Sequence, residues 1–156
     1  MYTEADSHDE TGHYGLSKSL GEPGCTVIRT SIIGEELSNK KSFLEFVKNS
    51  SGSIQGWTNH MWNGITCLEY CKVIEKIITE NLFWSGVRHV ASPTPVSKYE
   101  LARAIQTVFG VQTTIVETTG PAVCDKTLTS VYPAIFVIPE ISAQVSDLRN
   151  FTLLDV

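Results

Sequence analysis

The sequence predicts an α/β protein in which short, partly parallel strands alternate with amphipathic helices. Two observations carry that expectation. Three Ser/Thr-x-x-Glu signals, at Ser42, Thr66 and Ser97, mark helix starts. Between them lie β-branched runs too short to be helices. Such alternation is the sequence form of an α/β layer. A chain of 156 residues buries one core, so a single domain over 1–156 is expected.

The elements follow in chain order. HYGLSK, residues 13–18, reads as a helix that places Tyr14 and Lys18 one turn apart on a shared face. CTVIRTS (25–31) reads as a strand. Ser42 with Glu45 opens a short helix through Phe43, Phe46 and Val47, closing near Ser51 and Gly52. Thr66 with Glu69 opens a long helix whose apolar face runs Leu68, Cys71, Ile74, Ile78 and Leu82. VRHVA (87–91) is the next strand. Ser97 with Glu100 then opens a helix lined by Leu101, Ile105 and Val108, with Gly110 placed for a left-handed cap. TTIVET (113–118) reads as a strand, whereas VYPAIFVI (131–138) is ambiguous because Pro133 suits no central strand. A last helix is expected from Pro139, with Ile141, Val145 and Leu148 on one face.

Composition narrows the function. An apolar fraction of 42% with 19% charged residues is that of a globular chain. A net charge of −5 gives no electrostatic reason to bind nucleic acid or an anionic membrane. No apolar run nears the roughly 20 residues of a membrane span, and the start MYTEADSHDE is acidic where a signal peptide is basic. Cys25, Cys67, Cys71 and Cys124 lack metal-site spacing and read as buried free thiols, which points to the cytoplasm. His8, His13, His60 and His89 show no ligand spacing either.

Tyr14 and Lys18 carry the chemistry. An ammonium beside a phenol, whose ordinary pKa is about 10, favours the phenolate and suits acid–base work. The same spacing also arises by chance on solvated helices, so the neighbours decide. YGLSKSLGE is followed by the strand TVIRTSIIG, and the acidic YTEADSHDE precedes it. This linked run resembles the extended short-chain dehydrogenase/reductases, and within them the dTDP-4-dehydrorhamnose reductase-like group. WNGIT (62–66) and SKYELARAI (97–105) are consistent with that group's substrate loop and lobe.

The resemblance implies a partial NAD(P)-binding Rossmann-like fold. Residues 1–35 would hold the catalytic helix and following strand, and 36–156 mainly a substrate-binding lobe. It implies an NAD(P)-dependent oxidoreductase of carbohydrate biosynthesis that reduces a 4-keto nucleotide-diphosphate sugar. Tyr14 would give the proton, and both Tyr14 and Lys18 would contact the cofactor. Arg29 could face a phosphate or pair with a carboxylate at the core edge. Trp57 and Trp62 could stack on a nucleobase or close the core. Asn63 could touch substrate, and Lys126 could lie near its diphosphate or on open surface. No metal is implied. The family's glycine-rich phosphate turn is absent from this sequence. The chain alone is therefore expected to resemble the family's C-terminal portion, to bind NAD(P)H weakly and to be inactive. Its partners would be a separate dinucleotide-binding half or further copies of itself. A non-catalytic binding or regulatory protein is the alternative.

Overall fold

Strand propensity and local capping account for most of what the chain does. The computed structural model describes residues 1–9 and 11–151. Glu10, the end of the acidic stretch, and residues 152–156 of the expected lobe lie outside the described residues. After helix α1 (His13–Ser19) comes β1 (Thr26–Arg29), then β2 (Ile32–Ile33). Helix α2 (Phe43–Asn49) leads into β3 (Ser53–Trp57), β4 (His60–Trp62) and β5 (Ile65–Thr66). Helix α3 (Cys67–Thr79), β6 (Gly86–His89) and β7 (Val96–Ser97) follow. Helix α4 (Lys98–Phe109), β8 (Thr114–Thr118), β9 (Cys124–Asp125) and α5 (Ile141–Asn150) complete the order.

The pairing is mostly parallel, as an alternating pattern requires. β1 lies beside β6 with Thr26 opposite Gly86 and Arg29 opposite His89. β2 pairs with β5, and β3 with β8, again in parallel. β4 sits between β7, antiparallel, and β9, parallel. One apolar cluster joins Leu44 and Val47 of α2, Leu101 and Ile105 of α4, and Val145 and Leu148 of α5. A second joins Val73 and Ile77 of α3 to Ile65 of β5 and Val90, with Ile28 of β1 packed against it.

Several expectations need correction. The inward face of α3 is Glu69, Val73 and Ile77, while Cys71 and Ile78 are exposed. Two apolar stripes run side by side on this helix, and the one that packs with Ile65 and Val90 is buried. On α2 Val47 is buried as expected, but Leu44 and Glu45 are buried with it, and Phe46 is half exposed. Only Ser97 with Glu100 forms a reciprocal capping box. Ser42 and Thr66 do cap the N–H groups of Glu45 and Glu69. Their own N–H groups are not returned to those glutamates: Thr66 N–H goes to Gln144 Oε1 at 3.0 Å, and the Glu45 carboxylate turns to Asn49 and the N–H of Glu36. The last helix starts at Ile141 with Glu140 as its cap residue, two positions beyond Pro139. Residues 131–138 form no strand. The cysteines are free, but Cys25 and Cys71 are exposed and the other two only half-buried.

Candidate functional site

Helix α1 has no buried residue. Tyr14 is 78% exposed, and Lys18 Nζ lies 5.4 Å from the centre of its ring. The two side chains thus share an open face, as their spacing requires. The far end of α1 is tied to the sheet. Glu22 accepts from Arg29 through Nε at 2.9 Å and Nη2 at 2.7 Å, a forked ion pair. Arg29 ends β1 and His89 ends β6, so both stand at the carboxyl edge of a parallel pair. That edge is where open α/β sheets bind ligands.

A cleft of about 360 Å³ opens there, lined by Lys18, Arg29, His89 and Lys126 together with Asp6 and His8 of the N-terminal segment. Its size lies in the range of roughly 300–1,000 Å³ usual for ligand sites. The structure therefore brings Lys18, Arg29 and Lys126 to one place, with Tyr14 one turn away on α1. Arg29 is engaged on several sides: Nη1 reaches His89 Nε2 at 3.0 Å and Nη2 reaches His8 Nε2 at 2.9 Å.

The remaining expected residues lie elsewhere in the fold. Trp57 ends β3, its ring 4.4 Å from that of His60 and under the ammonium of Lys98. Trp62 donates its indole N–H to Ser31 Oγ at 2.8 Å. Asn63 is only 3% exposed; its amide donates to the carbonyls of Leu128 and Ser92 and accepts from Leu128 N–H. These contacts pin loops together.

His8, His89, Glu4 and Glu22 were not singled out by sequence reasoning, yet they organise the cleft. Glu4 accepts from Ser130 Oγ and from the N–H groups of His89 and Val131. Burial pushes its carboxyl up, but these bonds outweigh it and hold the group at about 2. No local sequence signal marks such partners, because each lies many residues away. Among the described residues no cluster of three or more His, Cys, Asp or Glu side chains is placed to hold a metal, and no helix is long and apolar enough to cross a membrane. A larger cavity of about 770 Å³, at the ends of α2, α4 and α5, shares no lining residue with the α1 cleft.

No protein-family model matches the chain, and no curated protein does. Solved structures do. The dTDP-4-dehydrorhamnose reductase from Yersinia enterocolitica superposes with a TM-score of 0.69 at 19% identity, over 96% of this chain and 60% of that one. A Clostridium acetobutylicum dTDP-4-dehydrorhamnose reductase gives 0.68 at 16% identity, over 96% and 59%. The Bacillus anthracis enzyme of that name, in complex with NADP, gives 0.61 at 15%, over 78% and 46%. At such identities the likeness establishes the fold: an α/β arrangement of the kind these reductases share, in a chain that spans about 60% or less of the length of each.

Proposed function

We propose that this chain carries the catalytic helix and substrate-facing wall of an NAD(P)-dependent nucleotide-sugar reductase. The observation that supports it is the exposed Tyr14–Lys18 pair beside a cleft that also holds Lys126. Tyr14 and Lys18, both open to solvent, fit the nicotinamide-ribose end of such a cofactor. When bound, that cofactor supplies hydride. The phenol oxygen of Tyr14 gives its proton to the sugar oxygen as charge develops there. Lys18 holds the ribose hydroxyls and stands beside the phenol, and Lys126 meets the substrate's diphosphate. Arg29, bonded to Glu22, orients α1 on the sheet.

The second reading is a binding protein that takes up the sugar nucleotide without turnover. Calorimetry with NADPH and a panel of nucleotide-linked 4-keto sugars tests both. The reductase reading expects sugar-nucleotide binding that weakens in Lys126→Ala, and weak NADPH binding. With a dinucleotide-binding half supplied, Tyr14→Phe should lower turnover about a hundredfold to ten-thousandfold and leave sugar-nucleotide affinity nearly unchanged. Full activity in Tyr14→Phe removes Tyr14 from the mechanism. Binding of the sugars with no turnover under any pairing favours the second reading.

A further inference from the structure

A smaller cavity beside β6 holds a cation that the proposed chemistry does not use. It measures about 300 Å³ and is bounded mainly by residues 88–93 and by the segment 128–138. It shares only His89 and Leu128 with the α1 cleft. Arg88 of β6 lines it, and its guanidinium is held by rings rather than by acceptors. The Arg88 Cζ lies 4.9 Å from the centre of the Tyr132 ring and 5.2 Å from that of Trp84, within cation–π reach of both. Trp84 is itself fixed. Its indole N–H donates to the Gly86 carbonyl at 2.9 Å, its backbone N–H to Thr26 Oγ1 at 3.0 Å, and its ring meets that of Phe136. Among the described residues the Arg88 side chain has no hydrogen bond and no ion pair. Its five N–H donors form a planar fork that matches a carboxylate, and the protein supplies them no acceptor.

Most other polar groups of the wall are already engaged. Asn63 is bonded to Ser92 and Leu128, and Ser92 to Gly64 and Gln144. His89 is bonded to Arg29 and Thr129, and the Met1 amino group to Asp125. Ser130 donates to Glu4, whose carboxylate also accepts the N–H groups of His89 and Val131 and so does not compete for Arg88. Among the described residues, Arg88 and the hydroxyls of Thr129 and Tyr132 are what the wall leaves uncommitted.

We propose that this cavity binds a small apolar monocarboxylate, its carboxylate on the Arg88 fork and its body against Val90, Pro93, Ile135 and Ile138. A single uncommitted cation matches one negative charge, and a phosphate dianion would be left half neutralised there. The rings that hold Arg88 reduce the side-chain freedom lost on binding. The volume stands at the lower end of the roughly 300–1,000 Å³ usual for ligand sites, which limits the ligand to an aromatic or short-chain acid. The site stands whether or not the α1 cleft takes a nucleotide sugar.

Phenylacetate titrated into the full chain tests it, with the Arg88 Nε–H and Trp84 indole N–H resonances followed by proton–nitrogen NMR. Both should shift and saturate with a Kd of about 1 mM, a strength within reach of so small a ligand. Phenylacetamide has the same shape and no charge, and should bind about ten- to hundredfold more weakly. Acetate, which lacks the apolar body, should be weaker to a similar degree. Arg88→Gln should lose as much as the amide does, and Arg88→Lys nearly as much, because an ammonium has no fork. Arg149→Gln, at the larger cavity, should leave phenylacetate binding unchanged. No saturation, equal binding of phenylacetamide, or undiminished binding by Arg88→Gln overturns the proposal. Shifts confined to Arg29 and Lys126 would place the acid in the α1 cleft and overturn it as well. The comparison of acid with amide uses the unaltered chain, so it decides even where a variant fails to fold.

Discussion

Gly64 leaves no room for a methyl group: a Cβ there would stand 2.1 Å from the carbonyl oxygen of Ser31 and 2.2 Å from the Trp62 ring. The neighbours are backbone and a ring that donates to Ser31, so neither yields easily. Gly64→Ala should cost about 3 kcal/mol in urea unfolding, the upper part of the overpacking range. Glu4 gives a pH-dependent counterpart. Its carboxyl is held at about 2 against an ordinary 4.5, so the charged form favours folding. That contribution is complete above pH 4.5 and is lost as pH falls toward 2. Glu4→Gln should therefore be destabilised at pH 6 and indistinguishable from the unaltered chain near pH 2, as read from urea midpoints across that span. What was legible at this scale was local. The shared helix face of Tyr14 and Lys18 was readable from their spacing, and Thr66 as a cap. The partners of Arg29 and Asn63 were not, since Asn63 binds Leu128 across 65 positions and Arg29 meets His89 across 60.

Caps and faces belong to the element. Ser97 both receives the N–H of Glu100 and returns its own N–H to that carboxylate. Ser97→Ala should cost about 1–2 kcal/mol, more than Ser42→Ala, whose box is one-sided. On α3 the two apolar stripes make opposite claims. Ile77 is 4% exposed and Ile78 62%. Ile77→Ala should lose about 2–5 kcal/mol, and Ile78→Ala should stay within about 0.5 kcal/mol; equal losses would restore the stripe expected from spacing. The long helices and the strands of β1, β6 and β8 were readable because capping and β-branched runs are local signals. The short strands β3, β4, β5, β7 and β9 were not, because their pairing comes from elements far along the chain. Trp57 and Trp62 show the difference: read as residues that stack on a nucleobase or close the core, they stand at the ends of β3 and β4, two strands that no local signal marked.

For the whole molecule the open question is what covers α1 and β1. Among the described residues β1 pairs only with β6, so its other edge presents unpaired backbone groups. A two-stranded parallel pair is rarely left so, because parallel sheets are normally covered on both faces and extended at their edges. Helix α1 in turn exposes Tyr14 and Leu16, and its C-cap residue Leu20 is exposed as well. Ile32 of β2 is likewise half exposed. Each such residue alone is ordinary, but an open strand edge together with a helix that buries no residue invites pairing with another chain. The purified chain should therefore self-associate with rising concentration, seen as a growing sedimentation coefficient. Leu16→Lys with Leu20→Lys should reduce that association while leaving the urea midpoint nearly unchanged, since neither side chain is buried. A compact monomer across a wide concentration range would mean that the edge and α1 are tolerated in water as they stand. Association that survives the two lysines would place the contact on β1 itself, where Lys substitution at Val27, half-buried within the strand, is the next position to try.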